Sequence, residues 1–203
     1  FRTAAPLTIF DPGVDRFVGH TVFLEAHRQN PANFASVMEN TTLMRFGELS
    51  PAFLLQYLVP LLIVVLAGTA VSREREQGTA LLLRAQGLGL GPLLAGKTLA
   101  LGLIGFLAVA VASLATVAVL ATDGRLSADV VARLLILAPI YTAFLVVCAG
   151  LGVGCSAACR SSRQAMLAVT AGWLILAVML PRSTPDWIQM AEPLPTRLDF
   201  VTD

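Results

Sequence analysis

Four long stretches of this chain contain no Asp, Glu, Lys or Arg: about 53–71, 98–121, 134–158 and 165–180. A helix needs about 20 apolar residues to cross the hydrocarbon core of a bilayer, and the fourth stretch lies at the short end of that range. One charge at the centre of a span costs about 2.5–3.5 kcal/mol on insertion scales. The pattern therefore predicts an all-α, polytopic membrane helix bundle with four spans. Spans without ionisable residues also hold no proton relay of the usual kind.

The polar segments divide the chain further. Residues 1–50 mix Asp11, Asp15, Arg16, His20, Glu25, His27, Arg28, Glu39, Arg45 and Glu48 with scattered apolar positions. Asp11-Pro12 has the form of an N-cap followed by a first helical residue. Val14, Phe17, Val18 and Thr21 then recur at helical spacing, Pro31 ends that helix, and a second, weaker helix covers 32–39. This is a small N-terminal helical module, too short to bury a large core alone. The membrane domain is 51–181. Within it, 72–97 joins the first two spans, 123–129 the second and third, and 159–164 the last two. Pro181 is expected to end the fourth span, and 182–203 to begin a loop.

Alternation puts 72–97 and 159–164 on one side of the membrane. Arg73, Arg75, Arg84, Lys97, Arg160 and Arg163 make six basic residues there, against five near the membrane opposite: Arg45, Arg125, Arg133, Arg182 and Arg197. The six are denser in short loops, so that side is read as cytoplasmic. The N-terminal module and the tail are then extracytoplasmic.

Composition agrees with the membrane class. The chain has 203 residues, of which 56% are hydrophobic and 13% charged, against about 25% charged in a soluble domain. Its mean hydropathy is +0.77. With a net charge of +1 and no basic stripe, a nucleic-acid partner is not expected. The chain begins at Phe and ends without a cap or charged tail, which suggests a segment of a longer protein.

Several motifs invite chemistry. Residues 91–98, GPLLAGKT, match G-x-x-x-x-G-K-[ST] literally. A phosphate-binding loop needs a strand before it and a soluble helix after it; here a Gly-rich turn precedes it and an apolar span follows. It reads as a turn with Lys97 at a helix start. Cys148, Cys155 and Cys159 share one helical face, but Gly150, Gly152 and Gly154 lie beside them at the small-residue spacing of close membrane packing. Packing is favoured over a thiolate metal site, and no cofactor or metal is expected on this chain. His20 and His27 have no neighbouring ligand cluster, and no Ser, His and Asp set supports hydrolysis. Pro60 and Pro139 kink their helices, either as static packing geometry or as bends that let a bundle open.

The remaining feature is 72–79, SREREQGT. Arg73 and Glu76 are one turn apart and able to pair. Thr79 is placed to N-cap a short helix over 80–86, with Gly87 at its end. Leu81, Leu82 and Leu83 beside Arg84 suit a helix lying on a membrane surface. The segment reads either as a solvated flank or as a docking element that carries a partner's motion into the spans.

Residues 72–97 resemble the cytoplasmic segment of ABC-2 type permeases, in which a span ends in E-R-E-x-G-T, continues through a leucine-rich stretch and re-enters through Gly-Lys. Glu74, Arg75, Glu76, Gly78, Thr79, Gly96 and Lys97 fall on that pattern. Residues 160–165 resemble the family's second cytoplasmic turn, and 46–60 the start of its second span; the likeness covers roughly 46–180. The N-terminal module resembles the large extracytoplasmic insertion of one branch. The resemblance implies that the spans here are the second to fifth, with the first upstream and the sixth downstream.

It further implies a multi-pass subunit of the bacterial inner membrane, acting as an exporter and paired with a second permease in a homo- or heterodimer. Two ATP-binding cassette subunits would carry ATP and Mg, and the permease would hydrolyse nothing. Arg73, Glu74, Arg75, Glu76, Gly78, Thr79 and Arg84 would form the ATPase-coupling element, with Arg160 and Arg163 as a second contact. Pro60, Pro139, Gly150, Gly152 and Gly154 would serve helix packing or kinking. The alternatives are a membrane-anchored sensor or assembly protein acting through its extracytoplasmic module, and a metal-handling protein using the cysteine face.

Overall fold

The computed structural model describes residues 6–13 and 50–191. The expectations for 14–49, including both helices and the two histidines, and for 192–203 lie outside the described residues. Among those described, every regular element is helical. A 3-10 turn, Pro6–Ile9, comes first among the described residues. Helix α1 runs as Pro51–Phe53, a π turn Leu54–Leu58 and Val59–Thr69. Two short helices follow, α2 (Ser72–Glu76) and α3 (Thr79–Ala85). Then come α4 (Leu90–Thr122) and α5 (Ala128–Ala158). Helix α6 runs as Ser162–Leu174, a π turn Ile175–Met179 and Leu180–Ala191. Four helical stretches are long and apolar enough to cross a membrane: Pro51–Glu76, Leu90–Thr122, Ala128–Ala158 and Ser162–Met179.

Two boundaries differ from expectation for local reasons. Helix α4 starts at Leu90 rather than near 98, so GPLLAGKT lies in its opening turns. Pro92 is its third residue, where the missing N–H has no intrahelical partner to lose. Pro181 does not end the last helix, which continues to Ala191. A π turn comes directly before it, and Leu180 N–H bonds back to Ile175 O. The wider turn accommodates a ring that would crowd the carbonyl four residues back in a regular α-helix. The same device precedes Pro60: Leu54–Leu58 is π, and Val59 N–H bonds to Leu54 O. Pro139, by contrast, stands inside an uninterrupted α5.

The contacts divide the chain into two compact units. The first comprises Phe1–Ile63 and Thr98–Ala149. Its core joins Leu55 and Ile63 of α1, Val109 and Leu120 of α4, and Leu134, Tyr141 and Leu145 of α5. Segment 6–13, assigned from sequence to the N-terminal module, packs into this core: Phe10 is 1% exposed. Its ring stands edge-on to Tyr141 with centroids 5.8 Å apart. Asp11 Oδ1 accepts from Gly13 N–H at 2.9 Å, and its Oδ2 accepts from Tyr141 Oη at 3.2 Å. Tyr141 Oη in turn accepts from Gln56 Nε2 at 2.9 Å. Glycines let α4 and α5 approach closely here; a Cβ on Gly105 would stand 2.9 Å from Leu145 Cβ.

The second unit comprises Val64–Lys97 and Gly150–Asp203. It holds the end of α1, both short helices, the start of α4, the last turns of α5 and the described part of α6. This unit carries the candidate site.

Candidate functional site

The site begins where α1 breaks. Its apolar stretch ends at Val71, and residues 70–71 form a turn before α2. Such a break frees backbone donors, and a buried donor without a partner costs about 1–3 kcal/mol. Ser156 resolves this. Its Oγ accepts from Val71 N–H at 3.1 Å and from Ser72 N–H at 3.0 Å, and donates to Ser72 Oγ at 3.1 Å. Ser72 Oγ in turn donates to Gly68 O at 3.2 Å. Both serines are 0% exposed. The backbones come close because side chains are small. A Cβ on Gly152 would stand 2.5 Å from Ala67 Cβ and 3.5 Å from Val64 O, and one on Gly68 would stand 2.8 Å from Val169 Cγ2. No atom lies within 4 Å of a Cβ placed on Gly154. Gly150 is half-buried.

From this anchor α2 presents three consecutive charges to three different helix ends. Glu74 Oε1 pairs with Lys97 Nζ at 2.6 Å, in the opening turns of α4. Arg75 donates from Nη2 to Ala157 O at 2.6 Å and from Nη1 to Cys159 O at 3.0 Å, where α5 ends. Glu76 Oε1 accepts from Ser162 N–H at 2.8 Å, and its Oε2 accepts from Ser162 Oγ, at the first residue of α6. The signs follow the helix dipoles: a cation meets free carbonyls at a C-terminus, and an anion meets free N–H groups at an N-terminus. The two Ser162 donors, with a smaller contribution from the nearby Arg73 charge, hold the exposed Glu76 carboxyl below the usual carboxylate range. Ser161 caps α6 by accepting from Gln164 N–H at 3.3 Å.

Two local expectations are corrected here. Arg73 and Glu76, expected to be able to pair, make no close ion pair: Arg73 acts on Glu76 through its charge alone, while both carboxylate oxygens accept from Ser162. Thr79 is not an N-cap but the first residue of α3, and the N-cap is Gly78 in the left-handed region at φ +76°. Gly78 N–H bonds to Arg75 O at 3.2 Å, and Thr79 Oγ1 donates to Glu74 O at 3.1 Å. Gly-Thr thus closes α2, supplying partners for its last carbonyls. At the other end of α3, Gly87 (φ +84°) behaves as anticipated. Its N–H bonds to Arg84 O, and Leu88 N–H bonds to Leu83 O, a Schellman closure.

Helix α3 is therefore held at both ends and exposed along its outer side. Leu81 is 77% exposed and Leu82 65%. Arg73, Arg84, Arg160 and Arg163 are exposed as well. So Glu74, Arg75, Glu76, Gly78 and Thr79 are brought together in one junction, Arg73 bears on it through its charge on Glu76, and Arg84, Arg160 and Arg163 are exposed beside it. Pro60 and Pro139 belong to the first unit's helices. Sequence reasoning missed Ser72, Ser156 and Ser162. Ser72 was visible inside the charged run and Ser162 in the last loop, but nothing in the sequence distinguishes Ser156 from its small neighbours. Lys97, taken as a helix-start lysine in a phosphate-loop look-alike, has its ammonium committed to Glu74.

The described residues form a multi-pass helical membrane protein in which a short exposed helix follows a segment bonded by charge to three neighbouring helices. A family model described as "ABC-2 family transporter protein" matches residues 6–194, and the chain belongs to that family. It is a permease component of an ABC transporter, a family whose members generally work in the membrane with an ATP-binding subunit. No curated protein and no solved structure gives a match to this chain.

Proposed function

We propose that this chain is the membrane-spanning subunit of an ATP-driven exporter of the bacterial inner membrane. In this reading 72–97 and 159–164 face the cytoplasm, and α3 docks on a separate ATP-binding cassette subunit that carries ATP and Mg. A second permease, identical or related, completes the transporter. Closure of the ATPases pushes α3, and the junction passes that push into the spans.

The observation that carries this reading is the division of labour around α2. Glu74, Arg75 and Glu76 are bonded to α4, to the end of α5 and to the start of α6. On α3 the exposed side chains offered to a partner include Leu81, Leu82 and Arg84, with Arg160 and Arg163 exposed on the last loop and at the start of α6. An exposed leucine pair beside an arginine has the composition of a small interface centre with a polar edge. A loop that only flanked a span would not need three separate charge contacts to fix its orientation.

The test is co-purification of the full-length permease with its ATP-binding subunit. Leu81→Asp and Leu82→Asp are expected to lose the complex while still inserting in the membrane. Retention of a wild-type complex by the double variant refutes docking through α3.

A further inference from the structure

Cys155 and Cys159 lie one helical turn apart at the end of α5, with their Sγ atoms 3.9 Å from each other. Both are free thiols and half-buried. Cys148 lies two turns back inside the apolar stretch. The pair sits in an unusual setting. Ser156, between the two cysteines, satisfies the α1 break, and the carbonyl of Cys159 itself accepts from Arg75. Cys159 lies just past Ala158, the last residue of α5, in a bend.

We infer that Cys155 and Cys159 form a reversible dithiol–disulfide site whose oxidation removes one of the two carbonyls that hold Arg75 at the end of α5, that of Cys159, and leaves only that of Ala157. The geometry gives the reason. Side chains one turn apart on a helix hold their Cβ atoms about 5–6 Å apart, whereas a disulfide requires about 3.5–4.5 Å. The bond therefore cannot close on a regular last turn. Cys155 is inside α5 and fixed by Ser156 beside it; Cys159 is beyond the helix and is the end that moves. Moving it displaces the carbonyl that holds Arg75 Nη1.

The chemistry balances with a low-molecular-weight disulfide as oxidant. The Cys159 thiolate, at the polar end beside Arg160, attacks the small disulfide, forms a mixed disulfide and expels one small thiol. The Cys155 thiolate then attacks the Cys159 sulfur and expels the second. Two S–H bonds are lost and one S–S bond is made; two electrons and two protons leave with the two small thiols. In a reducing compartment such a pair rests as thiols and closes only under oxidative challenge. The effect on transport rests on the coupling role proposed above for the junction, but closure of the bond and loss of the Arg75–Cys159 contact do not.

The test uses the full-length permease with its ATP-binding subunit in nanodiscs, in a Cys148→Ala background, exposed to oxidised glutathione. Mass spectrometry is expected to find Cys155 and Cys159 joined to each other, and Cys155→Ser to trap glutathione on Cys159. Backbone amides at Gln77 and Gly78 are expected to exchange about fivefold faster after oxidation, with no change in Cys155→Ser and full reversal by dithiothreitol. Thiols that stay fully alkylatable, or that carry separate glutathiones without joining, overturn the inference. So does a disulfide that leaves the exchange of 77–78 unaltered. ATPase stimulation measured on the same samples reports separately: faster exchange with undiminished stimulation overturns the coupling role and leaves the thiol site standing.

Discussion

Replacing Ser156 by alanine removes one oxygen that serves three partners. Val71 N–H and Ser72 N–H lose their acceptor, and Ser72 Oγ loses a donor. Ser72 and Ser156 are 0% exposed and Val71 4%, so water does not replace the lost bonds without opening the packing. At about 1–3 kcal/mol for each buried orphan donor, two donors sum to about 2–6 kcal/mol. The lower half of that range is the better expectation, since Ser72 Oγ can turn toward its own backbone. The local readout is amide exchange at Val71 and Ser72, which is expected to accelerate about 5- to 150-fold, the factor equivalent to 1–3 kcal/mol. Amides in the first unit, such as those of 105–115 in α4, should keep their protection. Cys155→Ser, one residue away with its side chain only half-buried, is the control and should leave 71–72 unchanged. Wild-type exchange at both amides in Ser156→Ala refutes the view that this hydroxyl holds the α1 break.

Three further outcomes follow from the same geometry. Gly152→Ala places a methyl 2.5 Å from Ala67 Cβ and near the backbone of Val64, so it should destabilise by about 1–3 kcal/mol in equilibrium unfolding, while Gly154→Ala should be within about 0.5 kcal/mol of wild type. Lys97→Met leaves Glu74 without its ion pair, and Glu74 Oε2 is already buried without a partner. A loss of about 1–2 kcal/mol is expected, and the Glu74→Gln, Lys97→Met double variant should recover part of it in a double-mutant cycle. Gly78→Ala forces a side chain into φ +76° and should cost about 1–2 kcal/mol, read as faster exchange through α3.

The four spans were legible because a run of uncharged residues has few other uses at that length. Their ends were not. Gly87, Gly89, Gly91 and Pro92 look like one turn; Gly87 and Gly89 do lie between α3 and α4, yet a proline in the first turn of a helix costs nothing, and α4 takes in Gly91 and Pro92. Pro181 looks like a stop, yet a π turn ahead of it lets the helix continue. The charged run was recognisable as a contact element, but its partners were assigned too locally. Arg73 and Glu76 were paired because they are neighbours on a helix, whereas Glu76 reaches a serine 86 residues away. Thr79 has the residue type of an N-cap, but the left-handed glycine before it turns its hydroxyl back to the preceding helix. Ser156 was invisible because its role depends on a backbone break more than 80 residues earlier, and periodicity carries no information about such pairs.

The most direct measurement of the proposed coupling is permease-dependent ATPase stimulation in a reconstituted complex carrying Glu76→Ala. The hydrogen bonds of the Glu76 carboxylate go to Ser162, at the start of α6, and not to α3. The variant is expected to insert, to co-purify with the ATP-binding subunit in wild-type amount, and to lose most of the stimulation. Wild-type stimulation from an intact Glu76→Ala complex contradicts a coupling role for the junction.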